Sequence, residues 1–121
     1  MRFIIIVKAT EASESGAMPS AELLRDMGQF NQELIAAGVM LDGGGLRPSA
    51  QGARVTFSGP DRTVAPGPFP NTRDLVSGYW IWSLNSLDEA IAWVKRCPNP
   101  MPGVSDIEIR RLYDEEDFNA A

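Results

Sequence analysis

The chain has 121 residues, no histidine, one cysteine and a formal net charge of −5. This length suits one domain with one core, and the acidic balance argues against nucleic acid and anionic membranes, which bind basic surfaces. The absence of histidine removes the commonest general base and metal ligand. Because the first apolar run is only a strand long and follows no basic leader, we expect a cytoplasmic protein without a membrane span.

The first part of the chain predicts a strand followed by a helix. Residues 3–7 are continuously apolar and β-branched, which is typical of a central strand covered on both faces. Residues 11–17 form a polar loop in this interpretation. Ser20 is a favourable N-cap and Gly38 a favourable C-terminal residue for the helix. Its apolar stripe contains Leu23, Met27, Phe30 and Leu34.

A short strand and a hairpin follow. Residues 39–41 form the strand, and the glycine run at residues 43–45 lacks the pattern of a phosphate-binding loop. We interpret the run as a bend or bulge between strands. Residues 54–57 alternate polar with apolar, a turn follows at residues 59–61, and residues 62–64 are the return strand of a predicted hairpin.

The second half predicts a loop, a strand, a helix and a last strand. The loop at residues 66–74 is stiffened by proline and is either a functional loop or a structural crossover. Residues 78–84 form a strand with aromatic side chains on both faces. Ser86 and Glu89 form a capping box in which the Glu89 carboxylate accepts from the Ser86 amide. The later elements are a helix stopped by Pro98, a strand carrying Ile107 and Ile109, and an acidic tail at residues 113–121.

This order predicts one α+β domain over residues 1–121, with a ferredoxin-like βαββαβ antiparallel sheet and an extra hairpin. Two helices cover only one face of such a sheet, yet residues 3–7 and 79–84 are apolar on both faces. An uncovered second face would exceed the apolar patches that monomers usually show. Either a second copy packs on it around a two-fold axis, or the loops at residues 43–53 and 60–77 fold over it.

Several residues with reactive side chains have a structural interpretation. Cys97 follows a helix, where the dipole disfavours a thiolate, so we expect a buried and unreactive thiol. The acidic run at residues 114–117 lacks the pattern of a calcium loop. We therefore predict no metal and no cofactor. Trp80 and Trp82 share one strand face and suit the core or an interface. Lys8 borders a pocket beside the loop at residues 66–74, or is a surface lysine.

The loop and the strand after it carry a family pattern. Gly-Pro-Phe at residues 67–69, Thr-Arg-Asp at residues 72–74 and Gly-Tyr-Trp at residues 78–80 together resemble the DGPF branch of the YCII-related family. Gly-Leu-x-Pro-Ser at residues 45–49 and Arg-Cys-Pro at residues 96–98 agree with it. Pro66 stands where the signature has aspartate, and Asn71 where it has glutamate. The histidine of the family's suggested His–Asp pair has no counterpart in this chain.

The resemblance implies a dimeric α/β barrel in which two ferredoxin-like sheets face each other. It also implies an enzyme that acts on small molecules, since one branch dehydrochlorinates a hydroxylated aromatic. Other members of the family are linked with sigma factors. The ligand-binding candidates are Lys8, Gly67, Pro68, Phe69, Thr72, Arg73, Tyr79 and Trp80. The acid–base candidates are Asp42 and Asp74.

Three functions are compatible with these residues. The first is binding of a small organic molecule by a homodimer. The second is lyase-like acid–base catalysis on a hydroxylated aromatic or an organic acid, with Lys8 or Arg73 holding an anion. The third is an accessory module that binds another protein.

Overall fold

Six strands and four helices are formed by residues 1–119, the part of the chain that the computed structural model describes. The strands are β1 (Arg2–Lys8), β2 (Met40–Gly45), β3 (Ala53–Ser58), β4 (Asp61–Pro66), β5 (Val76–Ser83) and β6 (Ile107–Arg111). The helices are α1 (Glu11–Glu14), α2 (Ala21–Ala36), α3 (Leu87–Arg96) and α4 (Glu115–Asn119). Short 3-10 turns lie at Ser49–Gln51 and Thr72–Asp74.

Four of the strands form one antiparallel sheet in the order β2-β5-β1-β6. Ile5 lies at its centre, opposite Trp80 on one side and Ile109 on the other. This mixed α+β arrangement is consistent with the ferredoxin-like fold. β3 and β4 pair separately as the predicted hairpin, which we call the arm (residues 53–66). None of the helices in residues 1–119 combines the length and the apolarity needed to cross a membrane.

The core lies between α2, α3 and one face of the sheet. Alternate residues of β1 turn their side chains into it: Phe3, Ile5 and Val7 are buried, as are Phe30 and Leu34 of α2. The Phe30 ring meets the rings of Trp80, Trp82 and Trp93 edge-on, with centroids 6.0–6.3 Å apart. The predicted apolar stripe of α2 and the core role of the two tryptophans are thus confirmed.

The helix caps follow the predicted residues with one exception. The Ser20 hydroxyl accepts from the Leu23 amide at 3.1 Å, and Gly38 has a positive φ of 70° just beyond the end of α2. The Ser86 hydroxyl accepts from the Glu89 amide at 3.2 Å. The Glu89 carboxylate, however, accepts from the Asn85 amide at 3.0 Å rather than from that of Ser86, so the predicted reciprocal bond is shifted by one residue.

Three segments differ from the sequence prediction. Residues 11–17 are not all loop, because Thr10 and Ser13 cap each other reciprocally and nucleate α1. Residues 43–45 are not a bend between strands but the second half of β2. The acidic tail is helical in α4, and residues 120 and 121 of that prediction lie outside the described residues.

The second face of the sheet carries side chains that pack against none of the helices' buried residues. We call it the open face and define it by Ile4, Ile6, Lys8, Asp42, Tyr79 and Ile81, which strand alternation and register place together. The isoleucines are half-buried among one another. The predicted alternative, in which loops cover this face, is not seen for the arm, since every residue of β3 and β4 is exposed.

Candidate functional site

A tyrosine and an aspartate on neighbouring strands form the main polar contact of the open face. The Tyr79 hydroxyl donates to Oδ2 of Asp42 at 3.1 Å, and Oδ1 of Asp42 accepts from the Gly43 amide at 2.8 Å. The carboxylate is therefore oriented by its own backbone. The hydrogen bond to Asp42, then its negative charge, and then desolvation raise the pKa of Tyr79 above its ordinary value of 10.0. The phenol accordingly stays protonated and acts as a donor.

The glycine run of β2 leaves room for aromatic rings on both faces of the sheet. A Cβ on Gly43 would lie 2.9 Å from Cδ1 of Trp80 on the core face. A Cβ on Gly44 would lie 3.5 Å from the Tyr79 ring on the open face, which is ordinary contact. Gly43 thus makes room for the Trp80 ring on the core face, while Gly44 lies beside the ring of Tyr79 on the open face.

Lys8 lies at the end of β1 on the same face as Tyr79 and is half-buried. A β-bulge at the Val7–Lys8 step shifts its partner on β5 to Val76. The open face thus carries Lys8 at the end of β1 and the phenol–carboxylate pair towards β2, with Ile6 opposite Tyr79 and Ile4 opposite Ile81. On β6, Glu108 and Arg110 lie on the same face and pair at 3.6 Å. Such a face can accept a flat apolar ring that carries hydroxyl or carboxylate groups.

The predicted loop is fixed by a hydrogen-bonded latch, which we define as Glu14, Ser49 and Phe69. The Ser49 amide and hydroxyl both donate to Oε2 of Glu14 at 2.9 Å. The same hydroxyl accepts from the Phe69 amide at 3.1 Å. Gly67 lies against the latch so closely that a Cβ would overlap the carbonyl oxygen of Ser49. Gly67, Pro68 and Phe69 are thus held by side chains from two distant segments.

The second part of the predicted loop is solvent-exposed. Arg73 pairs with Asp106 at 3.4 Å, but its side chain is 90% exposed, and such pairs contribute little. Asp74 is also exposed, while Thr72 is half-buried at the start of the 3-10 turn. Asp42 is exposed as well, but of these two carboxylates it is Asp42 that hydrogen bonds from Gly43 and Tyr79 orient.

Trp80 lies on the core face, so the sheet separates it from Tyr79. It is 7% exposed, and its Nε1–H donates to Oδ1 of Asn31 at 3.0 Å. Of the predicted site residues, Lys8, Asp42 and Tyr79 share the open face. Phe69 instead belongs to the latch, Gly67 lies against Ser49 of the latch, and Trp80 belongs to the core.

Two shallow cavities lie elsewhere among the described residues. A groove of about 480 Å³ is lined by Phe3, Leu87, Ile109 and residues around them. A smaller one of about 220 Å³ is lined by Cys97 and the proline-rich turn after it. Burial raises the pKa of Cys97 to about 11, which agrees with an unreactive thiol. Within residues 1–119, no group of three or more potential ligand side chains converges as a metal site would require.

Sequence reasoning missed the latch. Glu14 falls in the segment that we interpreted as a polar loop, and Ser49 was noted only as part of the Gly-Leu-x-Pro-Ser motif. The sequence feature that could have indicated the latch is the presence of both that motif and the Gly-Pro-Phe loop, because the two segments meet at Ser49. The pairing of Asp42 with Tyr79 was also missed, although each residue was a candidate.

Comparison with known proteins places this chain in a family. The model of the YCII-related domain matches residues 1–113. An uncharacterized protein from Rhizobium meliloti (strain 1021) is 27% identical over 90 residues, which are 74% of this chain and 73% of that protein.

Among solved structures, 5-chloro-2-hydroxyhydroquinone dehydrochlorinase from Burkholderia phenoliruptrix, in complex with 2,5-dihydroxybenzoquinone, has a TM-score of 0.54 at 17% identity. The match covers 97% of this chain and 98% of that one, and at this identity it shows a shared fold. Because the family model spans nearly the whole sequence, the chain belongs to the YCII-related domain family.

Proposed function

We propose that this protein is a cytoplasmic homodimer of the DGPF branch that binds a small hydroxylated aromatic or organic acid on the open face of its sheet. The observation that carries the proposal is the Tyr79–Asp42 pair, because it presents an oriented donor and acceptor on a face that the helices leave uncovered. Polar groups placed in this way among apolar side chains are typical of sites for small organic ligands.

The dimer is supported by the isoleucines of the same face. Ile4, Ile6 and Ile81 form an apolar strip at the centre of the sheet. Packing two such faces together, as in a dimeric α/β barrel, would remove both strips from water and enclose the polar pair between them. Removal of apolar surface is the main favourable contribution to association of this kind.

The ligand class follows from the three kinds of side chain on the face. Asp42 accepts a hydrogen bond from a ligand hydroxyl, the Tyr79 hydroxyl, whose own proton is donated to Asp42, accepts another, and the Lys8 ammonium attracts an ionised oxygen. The isoleucines contact the ring. The dehydrochlorinase of similar fold is in complex with 2,5-dihydroxybenzoquinone, a molecule with this combination of groups, so it is a suitable first probe.

The test is calorimetric titration of the protein with 2,5-dihydroxybenzoquinone. We expect Asp42→Asn and Tyr79→Phe each to weaken binding about tenfold, which corresponds to about 1.4 kcal/mol. Asp74→Asn is the matched control, because this carboxylate is exposed like that of Asp42 but lies on the 3-10 turn, outside the open face. Equal affinity in wild type and both open-face variants would refute the proposed site.

A second candidate function is elimination of hydrogen chloride from a chlorinated hydroxyaromatic. It is favoured by the oriented carboxylate of Asp42, which can take up the proton while chloride leaves. Chloride release from 5-chloro-2-hydroxyhydroquinone measures this reaction. Asp42→Asn should abolish the release, and Asp74→Asn should retain it; wild-type protein that binds the probe without releasing chloride is a binding protein only.

A further inference from the structure

The arm is an amphipathic hairpin that projects into solvent. Val55, Phe57 and Val64 are 51%, 72% and 65% exposed. Register pairs Val55 with Val64 and Phe57 with Arg62, so the three apolar side chains lie on one face. Isolated two-stranded hairpins are marginally stable in water, and exposed apolar stripes of this kind mark interaction surfaces.

The other face of the arm is polar. Arg54, Thr56 and Thr63 alternate with the apolar residues along the two strands. The Arg54 guanidinium lies 4.0 Å from the centre of the Phe69 ring and connects this face to the latched loop. The apolar face also carries Arg62, whose guanidinium lies 4.5 Å from the centre of the Phe57 ring, but Val55, Phe57 and Val64 still remain more than half exposed.

The base of the arm is held firmly although its strands are exposed. The Gly67 amide donates to the Gly52 carbonyl at 3.0 Å and closes the hairpin where it leaves the body of the protein. The latch at Ser49 then fixes the residues next to this closure. Because its base is anchored, the arm holds the apolar stripe in one direction. Such preorganisation lowers the entropy lost when the arm binds a partner.

The total exposed surface supports a second copy of the chain as that partner. The chain exposes 8289 Å², whereas a compact monomer of this mass exposes about 6,400 Å². The excess of about 1,900 Å² is more than twice the roughly 800 Å² that each partner buries in a standard interface. The exposed apolar side chains of the arm, Val55, Phe57 and Val64, contribute to this excess.

The ligand site on the open face needs additional walls. Sites for small organic molecules bury most of the ligand surface, but in a single chain the Tyr79–Asp42 pair lies on a sheet surface. The larger cavity described above includes Arg110, which register places opposite Ile4, but neither cavity is lined by Asp42 or Tyr79. Walls supplied from outside the chain would enclose the pair.

We propose that the arm of each subunit lies across the edge of the partner's open face, where Phe57 and Val64 wall the ligand site around Asp42 and Tyr79. Every chain has one arm and one open face, so a two-fold axis satisfies both surfaces at once and gives a closed dimer. This inference rests on the proposed function for the location of the ligand, but the assembly itself can be measured without a ligand.

The assembly test compares two neighbouring residues on opposite faces of β4. Val64→Asp places a carboxylate on the apolar face, and Thr63→Asp places the same charge on the polar face. Sedimentation equilibrium should show dimers for wild type and Thr63→Asp, and at least a tenfold weaker dimer for Val64→Asp. A monomeric wild type would overturn both the inference and the proposed homodimer. Equal dimerisation of the two variants would overturn the inference alone and leave the ligand-binding proposal standing.

The site test is complementation between two defective subunits. Asp42→Asn damages the open face but keeps the arm, and Phe57→Ala damages the arm but keeps the open face. If the arm acts on the partner, mixing the two variants restores about one site in four, because half of the dimers are mixed and each has one intact site. An arm that serves its own chain gives no restoration when the mixture is titrated with 2,5-dihydroxybenzoquinone, and this result would contradict the inference.

Discussion

The Tyr79 hydroxyl and Oδ2 of Asp42 lie 3.1 Å apart and connect β5 to the edge strand β2 through their side chains. Gly44 lies opposite Tyr79 and beside its ring. The pair thus depends on strand register as well as on two polar residues.

The ionisation of Tyr79 tests this pair directly. Asp42→Asn should lower the pKa of Tyr79 towards 10.0, because the negative charge that disfavours the phenolate is removed. Absorbance at about 295 nm follows the phenolate, and a Tyr113→Phe background removes the signal of the other tyrosine. Superimposable titration curves for the proteins with and without the Asp42→Asn substitution would contradict the assignment.

Stability should depend on pH with a defined sign. Because folding raises the pKa of Tyr79, the pair stabilises the protein fully below the ordinary value of 10.0. This stabilisation is lost as pH rises through the raised pKa. The difference in unfolding free energy between wild type and Tyr79→Phe, measured by urea denaturation, should therefore shrink from pH 8 to pH 11. A difference that grows over this interval would have the wrong sign.

The two adjacent glycines of β2 should respond differently to the same substitution. Gly43→Ala forces a methyl group against the buried Trp80 ring, which Asn31 holds in place. We expect a loss of about 1–3 kcal/mol in the free energy of unfolding, as for other overpacked sites. Gly44→Ala makes only ordinary contact with Tyr79 and should cost less than about 0.5 kcal/mol. Equal midpoints in urea would show that Trp80 is free to move.

The latch should control the order of the Gly-Pro-Phe loop. Ser49→Ala removes the hydroxyl that donates to Glu14 and accepts from the Phe69 amide. The expected cost is about 1 kcal/mol, together with faster hydrogen exchange at the Phe69 amide. Ser15→Ala is the control, since its hydroxyl donates only to the nearby Ala12 carbonyl at 2.7 Å. Gly67→Ala should lower the free energy of unfolding more than Ser49→Ala does, because its methyl group collides with the Ser49 backbone. Unchanged hydrogen exchange at the Phe69 amide in both variants would show that the latch does not order the loop.

Cys97 should react slowly with thiol reagents while the protein is folded. Burial raises the pKa of its thiol to about 11, and only the thiolate is nucleophilic. The alkylation rate should keep rising through pH 9 and 10 in the native protein, and unfolding in urea should accelerate it at neutral pH. A native rate that levels off near pH 8.5, the value of a free thiol, would show an accessible cysteine.

Much of the fold follows from local patterns in the sequence. The stripe that includes Phe30 and Leu34 and the caps at Ser20 and Ser86 required only helical spacing and side-chain chemistry. α1 was missed because its capping box has serine at Ser13, where glutamate or glutamine is the usual signal. The strand at residues 43–45 was missed because glycine has a low strand propensity. The aromatic rings that lie against the first two of these glycines, those of Trp80 and Tyr79, come from β5, which is distant in sequence.

The candidate site was less predictable than the fold, because it depends on pairing. Asp42 and Tyr79 meet only because a register shift between Met40 and Asp42 sets their strands in phase. A shift of this kind turns the side chains that follow it to the other face, and no pattern in a single sequence specifies it. Strand alternation alone placed Lys8 correctly at the end of β1.

The hydrogen bond between Gly67 and Gly52 has a consequence for how this chain tolerates change. Since this bond joins the two ends of the arm, the arm leaves the body of the protein and returns to it at the same place. Insertions, deletions or exchanges within the arm leave the register of the four-stranded sheet unaltered. The length and tip of this segment can therefore change without altering the four-stranded framework.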